Sequence, residues 1–137
     1  MAWVEQQHAD AIIGLLTADV ALVVYDGKVP DPPAVPAKQY VLVYFDTSTP
    51  EGTSLTSDQD RAITRAFCHC VGADAKASRA IAGRVAARLL NAKPSIAGRV
   101  PWPIRDDDSG SPPDRDETTG VLVMDSVSVY RLESVPS

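Results

Sequence analysis

The chain has 137 residues, enough for a single domain, residues 1–137, with one hydrophobic core. Its formal charge of −5 argues against binding nucleic acid by neutralising phosphates and against adsorption to an anionic membrane. A content of 45% hydrophobic and 23% charged residues is that of an ordinary globular protein and excludes disorder of the whole chain.

The N-terminal quarter predicts a helix followed by a strand. Across residues 2–18, apolar residues recur at three- and four-residue spacing, as in an amphipathic helix. Residues 20–25 (VALVVY) are rich in β-branched side chains, which favours a strand. The apolar run 11–16 is too short to cross a bilayer and no targeting segment precedes it, so we expect a protein made and used in the cytoplasm.

Two long loops are predicted next. Residues 26–39 contain four prolines, which favour a stiff, exposed path, and the strand that follows is 40–45 (YVLVYF). The strands on either side of this loop are predicted to pair as a hairpin. Residues 46–60 are polar and predict the second loop.

The C-terminal half predicts a strand over 63–71, a helix over 75–90 capped by Asp74, and an edge strand within 96–104 that two prolines interrupt. Residues 105–119 are acidic and rich in proline and glycine, which predicts a third long loop. The last strand is 121–132, with loose residues after it. The fold class is therefore α+β: an antiparallel or mixed sheet of four to five strands, two helices packed on one face, and long exposed loops.

The candidate chemistry is sparse. Cys68 and Cys70 share one face of their strand and His69 has the other, so the three cannot converge on a zinc ion; two buried thiols are the simpler interpretation. A nucleophilic dyad of either cysteine with His8 requires the first helix to cross the third strand. The carboxylates of 105–119 lack the spacing of a calcium loop and are expected to stay solvated. No catalytic, cofactor or metal residue is predicted.

Several segments, taken in order, resemble the tail terminator and related head–tail completion proteins of long-tailed (siphovirus-type) bacteriophages. They are the early helix, stretch 23–30 (VVYDGKVP), stretch 40–44 (YVLVY), stretch 67–72 (FCHCVG) with the Ala/Arg-rich helix after it, stretch 98–100 (GRV), stretch 112–117 (PPDRDE) and Asp125. The resemblance covers most of the chain and includes no catalytic signature.

The resemblance implies a structural virion subunit, not an enzyme. It would form a ring, usually a hexamer, that caps the tail tube and joins it to the head–neck connector, and it would be assembled in the host cytoplasm. DNA would pass through the ring without specific binding. The alternatives are another neck or head-completion connector, a monomeric adaptor, and a small metal-dependent hydrolase that uses the acidic loop.

Exposed loops are the expected contact regions of such a subunit. The predicted interface residues are Val29, Pro30, Pro33, Val35 and Trp102, where Trp102 stands between two prolines and loses little entropy on docking. The predicted channel-lining residues, whose like charge would keep DNA from adhering, are Asp106, Asp107, Asp108, Asp114, Asp116 and Glu117.

Overall fold

The computed structural model describes residues 3–30, 38–49, 61–116 and 122–137. The elements are α1 (Val4–Thr17), β1 (Val24–Asp26), β2 (Tyr40–Ser48), β3 (Ala62–Gly72), α2 (Ala75–Leu89), β4 (Arg99–Pro101), β5 (Arg105–Asp116) and β6 (Val123–Pro136). These strands form one six-stranded sheet in the order β1-β2-β3-β6-β4, and β5 also pairs with β6. The pair β1·β2 is parallel and the other pairs are antiparallel. A mixed sheet with two helices is confirmed, with more strands than predicted.

The main core lies between the helices and one face of the sheet. Small side chains on β3 allow the helices to pack closely against this face. Residues Ala66, Cys68 and Cys70 alternate along β3 and are fully buried. They pack in one cluster with Ile12 and Leu16 of α1, with Val41 and Val43 of β2, and with Ile81, Val85 and Leu89 of α2. Small residues on β3 and the alanines of α2 let helix and sheet approach closely, which increases their packing contacts.

The start of α2 is fixed to the end of β3 by three contacts. Asp74 caps the helix by accepting a 2.7 Å hydrogen bond from the Ala77 amide, as predicted. The Ser78 hydroxyl donates to the Cys70 carbonyl at 2.7 Å. At Gly72 a Cβ atom would lie 2.5 Å from the Ser78 amide nitrogen, so the close approach requires glycine there.

His8 lies on the buried side of α1 with none of its surface exposed. Its Nδ1 is 2.7 Å from Thr64 Oγ1 on β3, and its Nε2 is 2.7 Å from Ser134 Oγ on β6. Arg99 Nε donates to Ser134 Oγ at 2.6 Å, and Thr64 Oγ1 lies 2.7 Å from Thr47 Oγ1 on β2. Because Ser134 accepts from Arg99, its own proton can go to His8 Nε2, which leaves Nδ1 as the donor to Thr64. We call these five residues the His8 network.

The predicted hairpin of the first two strands is wrong. β1 runs parallel to β2, with Val24 opposite Val41 and Asp26 opposite Val43. Parallel neighbours need a connection of about a dozen residues, which a tight turn cannot supply. Thirteen residues separate Asp26 from Tyr40, which is enough for such a connection.

The three predicted loops also need correction. Asp26 belongs to β1 and residues 46–48 belong to β2, so both loops are shorter than 26–39 and 46–60. Most of the predicted loop 105–119 is strand β5, which pairs with β6 through several register shifts. Proline and glycine are tolerated there because β5 lies at the edge of the sheet and is interrupted by bulges. The predicted loose C-terminus is instead the end of β6, and the Ser137 amide donates to the Gly98 carbonyl at 3.0 Å.

The two histidines should affect stability in opposite directions as pH changes. Burial, with Arg99 nearby, lowers the pKa of His8 from 6.5 to about 4. Its stabilising contribution is complete above pH 6.5 and falls as the pH approaches 4, by roughly 3 kcal/mol, because the unfolded chain takes up the proton first. The hydrogen bond to Asp125 raises the pKa of His69, so that contribution is complete below pH 6.5 and is lost as the pH rises through the folded-state value.

NMR titration of the imidazole signals measures the pKa values of His8 and His69 separately, without mutation. We expect the His69 signals to titrate above pH 6.5 and the His8 signals to remain those of a neutral ring down to about pH 5. A His8 ring that titrates near 6.5 would show that the buried network does not form.

Replacing Gly110 by alanine should destabilise the fold. Gly110 has φ +68°, and a Cβ atom there would lie 1.8 Å from the Val127 carbonyl oxygen. We expect Gly110→Ala to lower the free energy of unfolding by more than about 2 kcal/mol, measured by denaturant titration. The control is Gly14→Ala in α1, where nothing lies within 4 Å of the added carbon and we expect a gain of about 0.5–1 kcal/mol. Equal denaturation midpoints for Gly110→Ala and the wild type would contradict this account of β5.

Candidate subunit interface

The face of the sheet opposite the main core carries a mixture of aromatic, apolar and charged side chains. We call it the second face. Strand register places Leu42 of β2 opposite His69 of β3, and His69 opposite Val127 of β6. Tyr44 is exposed at the β2 side of this face. The second face therefore offers a surface with both packing area and charge.

His69 and Asp125 form a hydrogen-bonded pair near the middle of the second face. The Nδ1 atom of His69 is 2.9 Å from Asp125 Oδ2, and the ring of Tyr44 packs edge-on against the imidazole at 5.4 Å between centroids. Lys28, Tyr40 and Asp116 line the groove beside the pair. Sequence reasoning missed this pair because the two residues are 56 positions apart and meet only through the β3·β6 register.

A chain of ion pairs crosses the second face nearer the β4 edge. Asp107 of β5 lies 2.8 Å from Arg65 Nε and 3.6 Å from Arg131 Nη1. Arg131 also pairs with Glu133, which accepts a 2.8 Å hydrogen bond from Arg61. Asp107 belongs to β5, Arg65 to β3, and Arg131 and Glu133 to β6, while Arg61 lies just before β3. Since Arg61, Arg65 and Arg131 remain well exposed, the network orients side chains more than it adds stability.

Trp102 lies where this network meets the sheet edge. Its amide donates to the Glu133 carbonyl at 2.9 Å, which holds the backbone against β6 just after β4. Its ring is 46% exposed, and the Arg61 guanidinium lies over it at 5.9 Å from the ring centroid. The predicted interface residue is thus a partly exposed aromatic group on a backbone fixed by pairing and two prolines.

The described part of the proline-rich segment, up to Pro30, packs on the protein more than the prediction of an exposed loop implies. Val29 packs against the small apolar cluster of Tyr40, Val71 and Val123, and Pro30 beside it is half-buried. Pro33 and Val35 lie outside the described residues. Val29 is therefore in part a packing residue.

The predicted channel-lining carboxylates do not form one loop. Asp106 and Asp114 are exposed along β5, Asp107 is paired with the two arginines, and Asp116 is half-buried beside the His69 groove. Asp108 is in β5, opposite Val129, and Glu117 lies outside the described residues. The correction follows from strand geometry, since successive side chains of β5 point to opposite sides of the sheet.

The cysteines lie as the alternation of β3 predicts. Both thiols are free and fully buried in the main core, while His69 is on the second face. Burial raises the pKa of both thiols, that of Cys70 to about 12. His8 uses its two ring nitrogens on Thr64 and Ser134, so it does not form a dyad with either cysteine.

Two arginines of α2 make contacts within the chain. Arg84 pairs with Asp19 at 3.0 Å and Arg88 Nε donates to the Leu15 carbonyl at 2.8 Å, which ties α2 to α1 and the residues just after it. Within the described ranges, no group of three or more His, Cys, Asp or Glu side chains is placed to hold a metal ion. No helix in the described part of the chain is long and apolar enough to cross a membrane.

Comparison with solved structures places the fold beside a chain of a virus-like particle. The protein superposes on a chain from the virion of a native gene transfer agent particle with a TM-score of 0.62 and 17% sequence identity. The match covers 94% of this chain and 93% of that one. No protein-family model matches the chain, and a comparison with curated proteins finds no match either. The likeness establishes a shared fold over nearly the whole of both chains.

The two thiols should be unreactive in the native protein. A buried thiol with a raised pKa contains almost no thiolate at pH 8, and thiolate is the reacting species. We expect Ellman's reagent to titrate no thiol within minutes in the native protein and two in guanidinium chloride. Rapid reaction of one thiol before unfolding would contradict the buried placement of Cys68 and Cys70.

Proposed function

We propose that this protein is a structural virion subunit of a phage-like particle, and specifically a tail terminator. Copies form a ring, a hexamer by resemblance to that family, that caps the tail tube and joins it to the head–neck connector. The observation that carries the proposal is the fold likeness to a chain of a gene transfer agent virion, which extends over more than nine tenths of each chain. The sequence resemblance to tail terminators points to the same class of protein.

The physical character of the molecule supports an architectural role. The two cysteines are buried and protonated, His8 is held neutral between hydroxyl groups, and His69 is paired with Asp125. The side chains that sequence analysis considered for catalysis therefore stabilise the fold. The exposed features are aromatic rings and ordered charges at the sheet edges, which suit contacts with other proteins.

Exposed carboxylates suit a channel through which DNA passes. Asp106 and Asp114 lie exposed on β5 and are two of the predicted channel-lining residues. Their negative charge would repel phosphates and keep DNA from adhering to the ring. Asp107 contributes less, because Arg65 and Arg131 neutralise it locally.

Deletion of the gene from the particle that encodes it tests the function. We expect filled heads and tails that do not join, with tails of irregular length, because a missing cap leaves the growing end of the tube open to further addition. Electron microscopy of lysates measures both features, and the gene supplied in trans is the control. Unjoined heads with tails of normal length would identify another neck protein, and normal joined particles would overturn a structural role.

A further inference from the structure

Helix α1 depends on its packing contacts more than α2 does. No side chain caps the N-terminus of α1, and Gly14 lies in its interior with nothing within 4 Å of the position of a Cβ atom. A glycine inside a helix costs about 1 kcal/mol relative to alanine, and a helix of 14 residues is marginal on its own. In contrast, Asp74 caps α2 and Ser78 bonds it to β3. Away from the sheet, α1 is therefore the less stable of the two helices.

One stripe of side chains holds α1 on the sheet. Its buried members are His8, Ala9, Ile12 and Leu16. Two hydrogen bonds add to the stripe, from the Gln7 side chain to the Ala97 carbonyl at 3.1 Å and from Arg88 to the Leu15 carbonyl at 2.8 Å. Because α1 comes before β1 and is not part of the sheet, it can leave its position without breaking any strand pairing.

Within the buried stripe, His8 is the one residue that can acquire a charge. Its ring nitrogens meet the neutral hydroxyl groups of Thr64 and Ser134, and the Arg99 guanidinium bonds to the far side of Ser134. A proton on His8 would therefore place a positive charge in a fully buried site, close to a second cation. A buried charge without an opposite charge beside it is costly.

The other charged groups on the surrounding elements do not offset that charge. The carboxylates of α1, Glu5 and Asp10, are exposed to solvent. Arg88 of α2 reaches α1 at Leu15, about two turns from His8. Strand alternation places the charged residues next to Thr47, Thr64 and Ser134 on the second face, the opposite side of the sheet: Asp46, Arg65, Arg131 and Glu133.

We propose that protonation of His8 releases α1 from the sheet while α2 and the strands β2, β3 and β6 stay folded. The fold then contains an acid-sensitive switch with two states. In one state α1 is docked and covers its part of the main core. In the other, α1 is unfolded and the apolar side chains that it covered are exposed to solvent.

Proton linkage gives the size of the effect. Burial, with Arg99 nearby, lowers the pKa of His8 from 6.5 to about 4 while α1 is docked, and release of α1 restores the ordinary value. Between these two values the released state binds a proton that the docked state does not. As the pH falls from 6.5 to below 4, the equilibrium constant for docking of α1 falls by roughly 300-fold in all. Docking is therefore strongest above pH 6.5.

Backbone NMR spectra recorded between neutral pH and about pH 3.5 test the release. We expect the Cα shifts of α1 to move to random-coil values below about pH 5, while those of α2, β3 and β6 keep their folded values. The decisive variant is His8→Gln, whose amide has a donor and an acceptor for the two hydroxyl groups and takes up no proton. In this variant α1 stays docked over the whole range. The matched control is His69→Gln on the second face, which releases α1 at the same pH as the wild type.

A second variant covers the case in which His8→Gln does not fold. Arg99→Gln keeps the imidazole and removes the cation near it, so we expect α1 to be released at lower pH than in the wild type. Three results would overturn the switch: α1 still docked at pH 3.5 in the wild type, simultaneous loss of the α1 and α2 signals, or release of α1 in His8→Gln at the wild-type pH. None of them bears on the virion role, which the deletion experiment decides.

Discussion

A buried, uncharged imidazole, that of His8, constrains how α1 packs on the sheet. His8 has no access to water, so each of its ring nitrogens needs a partner from the fold, and an unmet one would cost about 1–3 kcal/mol. The partners, Thr64 and Ser134, lie on strands 56 and 126 residues away, and they in turn bond Thr47 and Arg99. The His8 network is complete only when α1 lies across β2, β3, β6 and β4 in one register. It therefore links α1 to four strands of the sheet.

The fold gives the molecule two different sides. The helices and the small side chains of β3 close one face around the main core. The second face and the sheet ends carry Trp3, Tyr44, Trp102 and the arginine–carboxylate chain. A ring subunit needs this division, because the angle between neighbouring copies is set by the relative position of its two contact surfaces.

Local sequence patterns predicted the elements that depend on local physics. The capped helix α2, the alternation of β3 and the opposite placement of Cys68 and His69 follow from spacing and from one capping aspartate, Asp74. The errors concern pairing. The sequence of β5 predicted a loop because Gly110, Pro112 and Pro113 are unfavourable inside a central strand. An edge strand with bulges tolerates all three residues. The partners of His8 and of His69 depend on register between distant strands, which composition does not encode. The flanking prolines predicted Trp102 as an interface residue; the structure shows that it is partly exposed, and its role in an interface stays a prediction.

The central proposal is that this chain is a ring subunit of a virion. Electron cryo-microscopy of the particle that contains it measures this most directly. The account predicts a closed ring, of about six copies by the family resemblance, where tail meets head. Density for the chain elsewhere in the particle would contradict it.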